Sequence, residues 1–154
     1  MNNEIKLTYT DAVSEDAELL TATAHNSKKF WGYSDALMEL WKEDLEINTD
    51  YILKNKVVKV FENKNFIGFF ALKTNHKEEV EIDHLWLLPD KIKRGYGRSI
   101  FQHILNYVKT QGYKKVTLIA EPNAKGFYEK MNGRVVGMFQ SKINNRLLDI
   151  YQFD

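Results

Sequence analysis

Four ionisable side chains, Glu79, Glu81, Asp83 and His84, fall within six consecutive positions, and a few residues later the chain reads KIKRGYG from Lys91 to Gly97. Carboxylates and an imidazole in one short stretch are the groups that move protons, and an imidazole with an unperturbed pKa of about 6.5 does so near neutrality. The second cluster suits a different task. Gly95 and Gly97 let backbone come close to a ligand, and Lys91, Lys93, Arg94 and Arg98 bring positive charge to the same place. If a helix opens at these glycines, its first N–H groups lack intrahelical partners and carry the positive end of the helix dipole, which suits an anion such as a pyrophosphate. The pattern is not the dinucleotide fingerprint, whose third glycine would stand at Ile100, nor a P-loop, which requires Gly-Lys-Ser/Thr. An ordinary tight turn with solvated lysines remains the alternative.

These groups need elements to hold them. Glu79 to Leu88 reads as a strand: Leu85, Trp86, Leu87 and Leu88 are apolar on both faces, as in a buried central strand, and Pro89 ends it. Along a regular strand Glu79, Glu81 and Asp83 share one face and His84 lies on the other, so the acids are either a working face or a solvated one. After the glycines Ile100, Phe101, Ile104, Leu105 and Val108 recur at helical spacing. Upstream, Ile5 to Thr10 is a first strand and Ser14 opens a helix with Leu19, Leu20, Thr23 and Ala24 on its apolar face. The chain breaks at Gly32. Ser34 caps a second helix whose stripe is Leu37, Met38, Leu40, Trp41 and Leu45, and Thr49 with Asp50 caps a short turn through Leu53. Val57 to Glu62 and Phe66 to Lys73 form a hairpin, Gly112 ends the long helix, and Lys114 to Ala120 is a further strand. Asn123 to Met131 is a helix, and Val135 to Gln140 and Leu147 to Phe153 are two last strands joined through Asn144 and Asn145. Strand, helices, three strands, helix, strand, helix, two strands: the alternation predicts an α/β chain with a mixed sheet of about seven strands.

Composition narrows the function classes. At 154 residues with two prolines and no repeat, one domain is expected, 1–154. The absence of cysteine excludes thiolate chemistry and disulfides and suits a cytoplasmic protein. A net charge of +1 gives no general attraction to nucleic acid or membrane, no apolar run approaches the roughly 20 residues of a span, and MNNEIKLTYT lacks a signal-peptide core. No metal-ligand spacing is present.

The pair of features around the glycine turn resembles the signature of the GNAT acyl-CoA N-acyltransferase superfamily: Pro89 closes a strand and Gly95 follows six residues later in a G-x-G turn. The family's second motif, N-x-x-A-x-x-F-Y-x-K-x-G, is similar to Asn123, Ala124, Phe127, Tyr128, Glu129, Lys130 and Gly133 in an imperfect form, and Ile92 stands where the family usually has Gln or Arg. The resemblance covers about the C-terminal two thirds in pattern. It implies a GNAT fold in which the strand ending at Leu88 and the next parallel strand splay to admit acetyl-CoA. Leu85, Trp86 and Leu87 would then hold the acyl arm, Lys93, Arg94, Gly95, Tyr96, Gly97 and Arg98 the pyrophosphate, and Asn123 a further part of the cofactor. It also implies direct acetyl transfer to an amine, with Glu81 as the base, where several relatives carry a carboxylate, Tyr128 as the acid beside the sulfur, and His84 as an alternative base acting directly or through water. The acceptor side would be covered by the segment His25 to Ser34, dense in polar and aromatic groups, so His25, Trp31 and Tyr33 are the expected substrate contacts, with Lys28 beside them. A small-molecule or peptide amine fits the weakly charged chain better than a nucleic-acid-bound one, and the β-rich C-terminus can pair across a homodimer. Two rivals stand beside this enzyme: a non-catalytic acyl-CoA sensor, and a partner-binding domain docking through Phe30 to Tyr33 with an empty glycine turn.

Overall fold

The computed structural model describes residues 6–143 and 145–154, with the backbone alone for Asn75 and His76. Its strands are β1 (Leu7–Asp11), β2 (Lys56–Glu62), β3 (Asn65–His76), β4 (Glu79–Leu87), β5 (Lys115–Ile119), β6 (Arg134–Gln140) and β7 (Leu147–Phe153). Its α-helices are α1 (Ala17–Lys29), α2 (Asp35–Leu40), α3 (Thr49–Lys54), α4 (Tyr96–Thr110) and α5 (Lys125–Lys130). The strands bond in the order β1-β2-β3-β4-β5-β7-β6, with β4 and β5 parallel and β1/β2, β2/β3, β5/β7 and β6/β7 antiparallel. This is the expected mixed seven-stranded sheet. Of the first predicted strand, Ile5 lies outside the described residues, as does Asn144 of the predicted last turn.

The residues group into two compact units, Met1–Leu72 with His84–Ile100, and Lys73–Asp83 with Phe101–Asp154. In the first, α1 buries Leu20, Thr23, Ala24, Ser27 and Lys28, and Val58, Val60, Ile67, Phe69 and Phe70 of the hairpin are almost fully buried. Ser34 caps α2 as its sequence predicts, its Oγ accepting from Leu37 N–H at 3.2 Å. The stripe does not run as expected. The helix stops at Leu40, which is exposed, because the next residues tighten into turns; Met38, Trp41 and Leu45 are buried and Leu37 is half-buried. For α3 the cap is Asn48, whose Oδ1 accepts from Tyr51 N–H at 2.8 Å, and Thr49 is already helical.

In the second unit, Phe101 from α4 meets Phe127 at 5.9 Å, Tyr128 at 5.9 Å and Phe153 at 4.7 Å between ring centroids. These rings replace the larger core that six-residue α5 is too short to build. Gly112, at φ 89°, lets Tyr113 N–H return to Val108 O at 3.1 Å and ends α4.

Burial alternates along the first part of β4: Val80, Ile82 and His84 are buried, and Glu79, Glu81 and Asp83 half-buried. From Leu85 to Leu88 the alternation stops, and all four are half-buried where a fully buried strand was expected. The parallel ladder with β5 covers only Glu79–Glu81 against Lys115–Thr117.

Candidate active site

After β4, Leu88 donates its N–H to Ile67 O at 2.8 Å, and Pro89 begins a 3-10 turn through Lys91 that Lys91 N–H closes on Leu88 O at 2.8 Å. Lys93 (φ 65°) and Gly95 (φ 86°) then take left-handed backbone on either side of Arg94. Alternating hand tilts successive amides towards one concavity, the arrangement that binds anions. Among the described residues the amides of Lys93 to Arg98 donate to no backbone carbonyl, and Ser99 N–H to Gly95 O, at 3.4 Å, is the first bond of the new helix. Lys93, Arg94, Gly95 and Arg98 are exposed and Gly97 half-buried. The turn thus presents amides and cations together.

Tyr96 differs from its neighbours. Its side chain is buried, and its hydroxyl donates to the Glu62 carboxylate, 2.8 Å and 2.9 Å from the two oxygens. That bond, followed by burial, pushes the phenol up. What Tyr96 can offer a ligand is its amide, and its side chain ties the start of α4 to the end of β2. Sequence reasoning missed Glu62, a residue of a hairpin end with no local sign of such a partner.

Gly68, on β3, was also missed. A Cβ there would fall on the Trp86 carbonyl oxygen, with Leu87 Cα 3.0 Å away, so β3 and the end of β4 approach as closely as they do only because position 68 has no side chain.

The imidazole of His84 packs against Tyr51, Phe69 and Trp86, 5.7, 6.2 and 6.4 Å between centroids. Trp86 Nε1–H donates to His84 Nδ1 at 2.9 Å. Indole is a donor only, so Nδ1 must supply its lone pair and the proton of the neutral ring sits on Nε2. His84 thus meets the Trp86 indole through its Nδ1 lone pair.

Glu81 sits opposite Thr117 in the last pair of the β4/β5 ladder. Its neighbours are engaged: Glu79 accepts from Thr117 Oγ1 at 3.1 Å and Asp83 is 3.5 Å from Lys73 Nζ. In the same unit Tyr128 is half-buried among Phe101, Phe127, Tyr151 and Phe153. Burial pushes its phenol well above 10, and the Glu121 carboxylate adds to the effect. Among the described residues its hydroxyl has no hydrogen-bond partner. Asn123 is exposed, and its Nδ2 donates to Glu121 Oε1 at 2.9 Å.

The expected acceptor pocket is not one cluster. His25 lines an open groove of ≈ 640 Å³ between α1 and residues 42–49, with Glu18, Asn26, Lys42 and Glu46. Tyr33 instead packs edge-on against Trp41 at 4.8 Å, and the buried Lys28 ammonium lies 4.1 Å from the Trp41 ring centroid and 5.4 Å from that of Tyr33. Only Trp31 meets the glycine turn, with Lys93 Nζ 5.5 Å from its ring centroid. His25 is separated because α1 runs on to Lys29, which puts it on a helix flank and not in the connection.

A model of the acetyltransferase (GNAT) family matches residues 20–133. The chain belongs to the GNAT acetyltransferase family. It is accordingly an acyltransferase, and solved structures show the same GNAT fold at low identity. The PaiA N-acetyltransferase of Thermoplasma acidophilum, solved in complex with coenzyme A, is 20% identical with a TM-score of 0.75, covering 96% of this chain and 98% of that one. The GCN5-related N-acetyltransferase of Rhodopseudomonas palustris is 18% identical (TM-score 0.74, 94% and 93% covered). The ribosomal-protein-S18-alanine N-acetyltransferase of Escherichia coli is 12% identical (TM-score 0.70, 96% and 93%). No curated protein matches the sequence. Among the described residues no helix of this GNAT chain is long and apolar enough to cross a membrane, and no group of three His, Asp or Glu side chains could hold a metal ion.

Proposed function

We propose that this GNAT chain, acting as a single cytoplasmic domain, transfers an acetyl group from acetyl-CoA directly to the amine of a small molecule or peptide. One observation carries the reading: amides at the start of α4 that among the described residues donate to no backbone carbonyl, turned by two left-handed residues in a segment that carries Lys91, Lys93, Arg94 and Arg98. Such a turn can take a diphosphate through the main chain, so Ile92 in place of Gln or Arg leaves the cradle intact. Asn123 and the backbone of Leu85, Trp86 and Leu87 are the further cofactor contacts in this reading.

Acetyl-CoA supplies an activated acyl group and a thiolate leaving group. The chain's own work is proton handling. Glu81 removes a proton from the incoming ammonium or from the attacking amine, directly or through water, and Tyr128 gives its proton to the sulfur as the carbon–sulfur bond breaks. A phenol held above its usual pKa, whose hydroxyl meets no hydrogen-bond partner among the described residues, is a stored proton at neutral pH. His84, whose Nδ1 accepts from Trp86, is the alternative base, acting directly or through water. Of the three expected acceptor contacts, Trp31 alone is supported by proximity to the turn, with His25 and Tyr33 assigned to the groove and to packing respectively.

Thermal melting with acetyl-CoA, followed by thiol release over a panel of amines, tests the reading. Protection by acetyl-CoA together with amine-dependent thiol release is expected. A melting point that saturating acetyl-CoA leaves in place overturns the donor assignment, and protection without thiol release favours the sensor.

A further inference from the structure

A cradle that keeps its amides vacant for a ligand cannot use those amides to hold itself in place. Among the described residues the amides of Lys93 to Arg98 make no main-chain bond, and the first that follows, Ser99 N–H to Gly95 O, is a long 3.4 Å. Side chains must therefore brace the segment. From Lys93 to Arg98 only Tyr96 is buried, and Tyr96 is the first residue of α4. Both ends of the segment lead to one hairpin. At the entry Leu88 N–H donates to Ile67 O of β3 at 2.8 Å, and at the exit the Tyr96 hydroxyl donates to the Glu62 carboxylate of β2, 2.8 and 2.9 Å from its oxygens. Glu62 is itself held on both sides, opposite Leu7 of β1 and Asn65 of β3, so it does not move with the turn. Its carboxylate is a fixed point on the sheet, and the phenol is a strut from that point to the helix.

We propose that Glu62 is a positioning residue for the donor: through the Tyr96 hydroxyl it seats the start of α4 against the β2–β3 hairpin, and so aims the vacant amides at the diphosphate of acetyl-CoA. The inference rests on the donor reading given above. Lys93 and Gly95 give the turn its hand, and the strut fixes where that turn sits. The role is one of geometry and not of charge. A carboxylate beneath an anion site repels a diphosphate, so its charge works against binding. What favours binding is its capacity to accept, and both of its oxygens are turned to the one hydroxyl. A side chain that accepts without carrying charge should therefore serve as well.

Acetyl-CoA affinity and steady-state thiol release, measured on the whole chain with any amine that turns over, test it. Glu62→Ala and Tyr96→Phe each break the strut, and each is expected to raise the acetyl-CoA Kd and KM on the order of tenfold, with kcat at saturating donor within about twofold of the parent. Glu62→Gln keeps an oxygen for the hydroxyl and is expected to bind the donor as tightly as the parent or more so. The double variant Glu62→Ala/Tyr96→Phe should bind no more weakly than either single one, because both remove the same bond. Donor affinities of Glu62→Ala and Tyr96→Phe within about twofold of the parent overturn the proposal. So does a Glu62→Gln chain that binds as weakly as Glu62→Ala, since charge would then be what counts, and so does a double variant whose losses multiply. Should Glu62→Ala misfold, Tyr96→Phe set against Glu62→Gln decides by the same two outcomes. A parent that binds no acetyl-CoA overturns the donor reading and this inference with it, whereas a parent that binds while its variants match it overturns the inference alone.

Discussion

Replacing Tyr128 with Phe removes one oxygen from a ring held on four sides, and its consequences separate cleanly. Rings of Phe101, Phe127, Tyr151 and Phe153 lie 5.9, 5.3, 5.8 and 6.4 Å from it and keep their neighbour. The hydroxyl makes no hydrogen bond among the described residues, so no partner is orphaned, and the stability change should stay within about 1 kcal/mol, or roughly 4 °C in melting point. Catalysis should respond quite differently. Loss of a positioned general acid costs on the order of 10² to 10⁴ in rate, about 3 to 5 kcal/mol of barrier. That loss belongs in kcat, with acetyl-CoA affinity unchanged, and is read by thiol release at saturating donor with any amine that turns over. The pH dependence has a definite sign. Burial raises the folded phenol above its ordinary 10.0, so the stabilisation linked to this proton is complete below about pH 10 and is lost as pH climbs through the folded pKa. Tyr128→Phe should therefore be less sensitive to alkali above pH 10 and indistinguishable from the parent at neutrality. A Tyr128→Phe enzyme turning over within twofold of the parent would remove Tyr128 from the mechanism, and one that melts far lower would show the hydroxyl to be structural.

Glu81→Gln keeps the shape of the side chain and removes its basicity; kcat should fall by about 10² or more with the acetyl-CoA Kd unchanged, and an undiminished rate would move the base elsewhere. Gly68→Ala forces a methyl against the Trp86 carbonyl, which as backbone cannot swing away, so a loss of about 1 to 3 kcal/mol is expected, roughly 2 to 10 °C in melting point, together with weaker acetyl-CoA protection. A melting point within 1 °C or so of the parent would mean that β3 and β4 slide apart without cost, against the close-packed behaviour of interiors.

The order of elements was legible because period and punctuation agree along most of this chain. Ser34 before an apolar stripe, Gly112 after one, and β-branched runs on both sides of a short polar turn each predict a local conformation that the chain adopts. What misled was the extrapolation of patterns across a stop. Leu40 fits the stripe of Trp41 and Leu45 by spacing, yet α2 ends there and the helical period no longer applies. His25 lies near Trp31 in sequence, but α1 carries the chain through about one more turn of helix before the connection begins. Around the glycine turn, spacing located the turn and the start of the helix but not what braces them. Glu62 under Tyr96, Gly68 under Trp86, and the indole on His84 are all contacts that local pattern cannot announce, two of them between residues far apart in the chain.

The turn between β4 and α4 presents main-chain N–H groups, and its shape depends on the hand of Lys93 and Gly95 more than on what their neighbours carry. Recognition of this sort is stored in torsion angles. Evolution can repaint the side chains around such a loop almost without limit, as long as two residues keep their sense of rotation, which suits a chain that retains the family fold at 12 to 20% identity to its solved relatives. For an engineer, the surrounding lysines and arginines are then dials for salt sensitivity, and the left-handed pair is the part to leave alone.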